Sequence, residues 1–176
     1  RTRRQMPVEV LPANVLYRAP GVIVWWSAPG LQRLYYRDPD GVFSQLHGYV
    51  VHVPSCVWRL VEGRHLAVRA VASSDRPVAS TPLAVAPFWN TYANAEVCLG
   101  TMRVPHRDAV EVIVEWERAF WASEFTHPNA NRGDLVRHPD GFFGAWIAAR
   151  TAPFADAWLV PADETLAAFI AAAHKH

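Results

Sequence analysis

The sequence has 176 residues, of which 51% are hydrophobic and 12% aromatic. This composition excludes a disordered chain and predicts one globular domain over residues 1–176. The formal net charge is only +1, so we do not expect nucleic acid as a partner. No apolar run approaches the roughly 20 residues that a membrane-spanning helix needs, so we do not expect a membrane association either.

The N-terminus carries a cluster of basic residues, and we interpret residues 1–15 as an N-terminal extension of the domain. The sequence begins with Arg1 rather than Met and has no signal-peptide pattern. This start leaves open that a preceding segment has been removed.

The sequence contains two cysteines, Cys56 and Cys98, which lie 42 positions apart. A secreted domain of this size more often carries several paired cysteines. We therefore expect two free thiols in a reducing cytoplasm, one of them a candidate for chemistry.

The segment from 8 to 71 shows a strand-like pattern. Short runs of β-branched and aromatic residues, such as VIVWWS and LQRLYYR, alternate with turn signals such as Ala-Pro-Gly. Such runs predict consecutive antiparallel strands, that is, a β-meander. The predicted strands cover residues 22–27, 31–37, 46–53, 57–61 and 65–71.

Residues 72–105 are predicted to form a long connection, because this segment carries four prolines and few periodic apolar positions. Connections of this length are unusual inside a compact domain and are often functional.

Beyond Pro105 the apolar positions follow a helical period. Asp108 and Glu111 have the spacing of a capping box, which predicts a helix from there to near Phe125. Two further helices are predicted over residues 141–150 and 163–173. Strands followed by helices predict an α+β fold, with helices on one face or end of an antiparallel sheet.

The long connection contains the string PFWNTYANAEVCLG, in which Asn90 precedes Cys98 by eight residues. This string resembles the active-site segment of ubiquitin-conjugating enzymes. In that segment His-Pro-Asn is followed, eight residues after the Asn, by the Cys of a Cys-Leu pair. Here Phe88 and Trp89 replace His-Pro, while Asn90, Cys98 and Leu99 keep their relative positions.

The fuller string, which continues to WERAFWASEFTHPN, is more similar still to a bacterial branch called prokaryotic family D, or PRTRC system protein B. This resemblance covers about residues 16–170. It implies a ubiquitin-conjugating-enzyme-like (UBC-like) fold, an antiparallel β-meander followed by helices, with no cofactor. It also implies three protein partners: a ubiquitin-like protein, a ThiF-type activating enzyme and a JAB-type peptidase.

The chain contains a His-Pro-Asn tripeptide of its own, but it begins at His127, downstream of the cysteine. The ubiquitin-conjugating pattern has an Asp-Pro-Asn loop after the post-cysteine helix, and a Leu-Val pair soon afterwards. Here the tripeptide is followed by Asp134, Leu135 and Val136. The resemblance therefore places this tripeptide in the post-helix loop and not beside the cysteine.

The resemblance implies a transferase that accepts a ubiquitin-like protein as a thioester on Cys98 and passes it to an amine. Asn90 would stabilise the tetrahedral oxyanion or hold the loop that presents the cysteine. Asp134 would be the acid that positions the incoming lysine. Phe88 and Trp89 would hold the Asn90 loop by packing. The predicted binding residues are Phe88, Trp89, Leu99, Gly100, His127 and Asn129, of which Gly100 stands where the family pattern commonly has Asp.

Two other functions stay open at this point. A non-catalytic adaptor would keep the fold and bind a ubiquitin-like protein or a partner subunit. A cysteine hydrolase would pair Cys98 with His106 or His127. The spacing of the histidines matches no compact ligand motif, so no metal site is predicted. Cys56 is predicted to be structural.

Overall fold

The computed structural model describes residues 9–39, 41–106, 110–128 and 135–175. Within these ranges the chain forms ten β-strands and three α-helices. The strands are β1 (Val15–Ala19), β2 (Val22–Ser27), β3 (Gly30–Arg33), β4 (Tyr35–Tyr36), β5 (Val50–Val53), β6 (Ser55–Val61), β7 (His65–Val71), β8 (Pro82–Val85), β9 (Glu124–Phe125) and β10 (Pro161–Thr165). The helices are α1 (Ile113–Trp121), α2 (Gly141–Ala148) and α3 (Leu166–Ala171). Across the described ranges we find no helix with the length and apolarity of a membrane span.

The main sheet has six antiparallel strands in the order β1-β2-β6-β7-β8-β10. Every residue of β6 is buried, since the sheet is covered on both faces. Trp25 of β2 lies opposite Trp58 of β6, and their rings stack with centroids 6.2 Å apart. These large side chains give one face of the sheet a thick aromatic layer.

Helix α1 packs against that aromatic layer. Its helical period brings Ile113, Trp116 and Phe120 to the buried side. The Phe120 ring meets the Trp58 ring edge-on, with centroids 5.0 Å apart. The indole N–H of Trp25 also has a partner, because it donates to the Glu117 carboxylate over 2.8 Å. Burial raises the pKa of Glu117, and the bond from Trp25 opposes that rise.

Helix α3 covers the opposite face of the sheet. The hydroxyl of Thr165 accepts from the amide of Ala168 and caps its start. Phe169 lies on Arg59 of β6, with the guanidinium carbon 4.4 Å from the ring centroid. Burial lowers the pKa of Arg59. A second buried arginine, Arg69 of β7, forms an ion pair with Glu164 at 2.5 Å.

The sequence-based strand predictions are confirmed for β2 and β7, and residues 57–61 lie within β6. The simple meander is wrong between β2 and β6. The predicted strands 31–37 and 46–53 contribute β3 and β5, which pair with each other as a separate ribbon. Residues 42–46 form a 3₁₀ turn, so of the strand predicted over 46–53 only residues 50–53 are a strand.

Three further boundaries differ from prediction because tertiary pairing overrides local pattern. The long connection contains β8, whose first residue is Pro82, a position where proline is tolerated. The helix predicted to reach Phe125 ends at Trp121, since Glu124 and Phe125 pair with β4. The third helix starts at Leu166, after β10. The predicted capping residue Asp108 lies outside the described residues.

Replacing Phe120 with Ala removes a fully buried ring that packs on Trp58, so we expect the free energy of unfolding to fall by about 3–5 kcal/mol. Chemical denaturation monitored by circular dichroism measures this. Val114→Ala on the same helix is the matched control, because Val114 is 63% exposed. A loss for F120A no larger than that of V114A contradicts the packing described above.

Candidate active site

Residues 90–98 form a narrow hairpin, the Cys98 hairpin, which ends at the candidate nucleophile. Thr91 and Val97 form an antiparallel bridge, and the amide of Tyr92 donates to the carbonyl of Glu96 over 2.8 Å. The amide of Cys98 then donates to the carbonyl of Asn90 over 2.7 Å. The main chain of Cys98 is therefore fixed across the hairpin from Asn90.

The returning arm of the hairpin docks on β7. The amide of Val97 donates to the carbonyl of Leu66 over 2.8 Å, and the amide of Val68 donates to the carbonyl of Ala95 over 3.0 Å. Strand β8 pairs only with residues 69 and 70 of β7, so the hairpin occupies the part of that edge which β8 leaves unpaired. The hairpin is thus an extension of the main sheet.

Asn90 ties the hairpin to the segment that follows α1. Its side chain is buried, its carboxamide Nδ2 donates to the Glu124 carbonyl over 2.8 Å, and its Oδ1 accepts from the Thr126 amide over 3.2 Å. Its own amide donates to the His127 carbonyl over 3.0 Å. Asn90 has a φ of 62°, a left-handed conformation that Asn tolerates better than most residues. These bonds link the hairpin to residues 124–127, and both roles predicted for Asn90 stay predictions.

The segment after Cys98 is held by the main chain of Glu124. The amide of Met102 closes a turn onto the Leu99 carbonyl over 2.8 Å. Within that turn the Thr101 hydroxyl accepts from the Glu124 amide over 2.9 Å and donates to the Glu124 carbonyl over 3.3 Å. The Glu124 carboxylate in turn pairs with Arg37 at 2.5 Å. Glu124 therefore holds both segments that flank Cys98.

Phe88 and Trp89 lie beneath the loop. Phe88 is 1% exposed, and its ring packs on Trp121 and Trp146 with centroids 5.2 Å and 5.7 Å away. Trp89 is also buried, with its ring 4.4 Å from that of Phe43. Their predicted role in holding the Asn90 loop agrees with this packing. Their predicted binding role needs correction for Phe88, because its buried ring offers no surface to a partner.

The two cysteines differ in their surroundings. Cys56 is buried, and burial raises the pKa of its thiol. Its S–H group donates a hydrogen bond to the Pro54 carbonyl. Cys98 is partly exposed. Apart from the two residues adjacent in sequence, a Cβ added at Gly100 would have the Cys98 Sγ, at 3.8 Å, as its one neighbour within 4 Å among the described residues. The space at Gly100, on one side of the Cys98 sulfur, is therefore open, while Leu99 packs partly against the core.

Tyr92 is a candidate that the sequence analysis missed. The Cys98 side chain raises the pKa of Tyr92, first through hydrogen bonding and then through its charge, with smaller contributions from desolvation and Glu96. The available signal was the hairpin register, which depends on the bridge between Thr91 and Val97 and is not evident from spacing alone.

The other predicted site residues are distributed as follows. His127 is exposed, and its ring contacts the Thr126 hydroxyl over 2.8 Å. In the part of the chain that the structure describes, no histidine ring hydrogen-bonds to the Cys98 thiol, so the geometry of a Cys-His hydrolase is not seen there. That part also lacks a group of three or more His, Cys, Asp or Glu residues able to hold a metal ion. Asp134 and Asn129 lie outside the described residues.

Comparison with models of protein families identifies the family of the chain. The family model of prokaryotic E2 family D matches residues 1–162 of the 176. The chain belongs to prokaryotic E2 family D. No curated protein and no solved structure matches it.

Membership of family D carries a UBC-like fold, with which the antiparallel sheet and the helices of this protein agree. It also carries a function related to the conjugation of ubiquitin-like proteins, with such a protein and its activating enzyme as general partners. The matched region includes the Cys98 hairpin and Glu124, whereas α3 lies beyond it.

Asn90→Asp in this family D protein keeps the acceptor that faces Thr126 but replaces the donor that faces the Glu124 carbonyl. We expect the free energy of unfolding to fall by about 1–3 kcal/mol, because two acceptors then meet in a buried place. The control is Asn94→Asp, since the exposed Asn94 uses only an acceptor, toward the Glu96 amide. Equal stabilities of N90D and N94D in urea denaturation would show that the carboxamide does not tie the loop.

Native alkylation is expected to modify Cys98 and spare Cys56, because the second thiol is buried within the sheet. Treatment with iodoacetamide followed by peptide mass spectrometry measures this, and both thiols should react in denaturant. Preferential native labelling of Cys56 would contradict the burial described here.

Proposed function

We propose that this family D protein is a ubiquitin-conjugating-like transferase, which carries a ubiquitin-like protein on Cys98 as a thioester and passes it to an amine. The observation that supports this most directly is the position of Cys98. Cys98 is partly exposed beside open space at Gly100, while its flanks are fixed by hydrogen bonds to Glu124. A rigid main chain with an accessible sulfur is what a thioester carrier needs.

In the first step of the proposed reaction, the Cys98 thiolate attacks the carbonyl carbon of the thioester on an activating enzyme. A C–S bond to Cys98 forms, and the carbonyl electrons move onto oxygen to give a tetrahedral oxyanion. When the oxyanion collapses, the C–S bond to the activating enzyme breaks and its thiolate leaves. The proton that Cys98 gave to solvent is balanced by the one that the leaving thiolate takes up.

In the second step a deprotonated amine attacks the same carbonyl carbon. A C–N bond forms, the C–S bond to Cys98 breaks, and the amine nitrogen loses a proton to solvent. Because Gly100 places no side chain beside the sulfur, the amine has room to approach. We assign the positioning of a lysine amine to Asp134, as the family pattern indicates.

Asn90 contributes to both steps as a positioning residue, through the bond that its carbonyl accepts from the Cys98 amide. A carboxamide has two N–H donors, and the bond to the Glu124 carbonyl uses one of them. The second N–H is the group that we assign to the oxyanion. Removing one oxyanion donor typically lowers the rate by about 10²–10³-fold.

A non-catalytic adaptor is the second candidate function, and the bonding of Asn90 is the observation that favours it. Because the carboxamide is anchored to Glu124 and Thr126, the loop is built for rigidity even without chemistry. Such an adaptor would bind a ubiquitin-like protein without forming a covalent adduct.

Incubation with a ThiF-type activating enzyme, a ubiquitin-like protein and ATP should give an adduct that reductant removes. Non-reducing gels and intact mass spectrometry measure it. We expect Cys98→Ala to abolish the adduct and Cys98→Ser to convert it to a reductant-resistant oxyester, because oxygen is a poorer leaving group than sulfur. Cys56→Ser is the matched control and should retain the adduct. An adduct that persists in C98A contradicts the proposal, and binding without any adduct identifies the adaptor.

A further inference from the structure

Strand β9 pairs with a strand along one edge only, within the described part of the chain. On the side of β4, the Phe125 carbonyl accepts from the Arg37 amide over 3.0 Å. The main-chain amide and carbonyl of Glu124 instead bond the segments that flank Cys98. An edge without a neighbouring strand presents N–H and C=O groups that need other partners.

Two side chains take the place of a strand at this edge. The Asn90 carboxamide donates to the Glu124 carbonyl over 2.8 Å and accepts from the Thr126 amide over 3.2 Å. The Thr101 hydroxyl accepts from the Glu124 amide over 2.9 Å and donates to the Glu124 carbonyl over 3.3 Å. Each side chain is therefore both donor and acceptor toward residues 124–126, as a neighbouring strand would be.

We propose that Thr101 is a positioning residue of the transfer described above, which together with Asn90 clamps the segment around Cys98 onto Glu124. This inference rests on the proposed function. Asn90 and Thr101 share the Glu124 carbonyl, whose oxygen has two lone pairs. The Thr101 hydroxyl thus holds the same carbonyl that orients the Asn90 carboxamide, and it acts on the chemistry through Asn90 and Cys98.

The segment after Cys98 depends on this hydroxyl for its connection to β9. In the described part of the chain, the other hydrogen bond within residues 99–102 is local, from the Met102 amide to the Leu99 carbonyl. The two bonds at the Thr101 hydroxyl reach a different segment. Thr101 is exposed, so water can satisfy the Glu124 amide when the hydroxyl is lost, but water does not tie the two segments together. Loss of the hydroxyl should therefore loosen the site more than it destabilises the fold.

The first test needs no partner protein. Thr101→Val removes the hydroxyl and keeps the shape of the side chain, so hydrogen exchange of the Glu124 amide should accelerate by roughly two- to tenfold. The carboxamide resonances of Asn90 should shift in the same variant, because the carbonyl that the two residues share is released. Thr101→Ser keeps the hydroxyl and should restore both signals, which NMR spectroscopy measures.

Thr151→Val is the matched control, because the exposed Thr151 hydroxyl donates to the Ala148 carbonyl at the end of α2. Neither NMR signal should change in T151V. Exchange of Glu124 in T101V that is no faster than in T151V overturns the clamp.

The second test measures transfer from a Cys98 thioester to free lysine in a single turnover, after charging by a ThiF-type activating enzyme. T101V should transfer more slowly by a similar factor, and T101S and T151V should match the unsubstituted protein. Recovery in T101S attributes the effect to the hydroxyl. Unchanged transfer in T101V overturns the positioning role. Faster Glu124 exchange in a protein that forms no thioester at all confirms the clamp and overturns its role in transfer, because the proposed function is then wrong.

Discussion

The main-chain amide and carbonyl of Glu124 are the groups on which the candidate site depends. The carbonyl accepts from the Asn90 carboxamide before Cys98, and both groups bond the Thr101 hydroxyl after it. Glu124 can do this because β9 is held in place by pairing with β4 and because Phe125 is buried in the core. The cysteine is thus positioned from outside its own loop, by a short strand that follows α1.

The aromatic core supports the Cys98 hairpin from below. Phe88 lies between the rings of α1 and the Phe125 ring, so the segment that leads into the hairpin is fixed from below. Asn90 has a left-handed backbone, a conformation that costs roughly 1–2 kcal/mol. Several hydrogen bonds to the segment at 124–127 offset this cost. The packing of Phe88 and the hydrogen bonds of Asn90 together fix the main chain around Cys98 and leave its side chain partly exposed.

Much of this fold could be predicted from sequence where the signal is local. Strands β2 and β7 follow from runs of β-branched and aromatic residues between turn residues. Strands β8 and β9 could not be found in the same way, because each is short and exists through partners distant in sequence. The spacing of Asn90 and Cys98 indicated the site, yet the bonds of Asn90 reach residues 34 and 36 positions away. Tyr92 was missed because its proximity to the sulfur depends on hairpin register.

Arg69 links the C-terminal strand β10 to the Cys98 hairpin. Its guanidinium pairs with Glu164 of β10 and also donates to the carbonyl of Ala93, near the tip of the Cys98 hairpin, over 3.2 Å. The C-terminal segment and the cysteine loop therefore share one cation. A chain cut before β10 would lack Glu164, the ion-pair partner of Arg69. It would also lack α3, which covers one face of the sheet. Loss of the C-terminal segment would then change the support of the hairpin that carries Cys98, although this segment and the hairpin are distant in sequence.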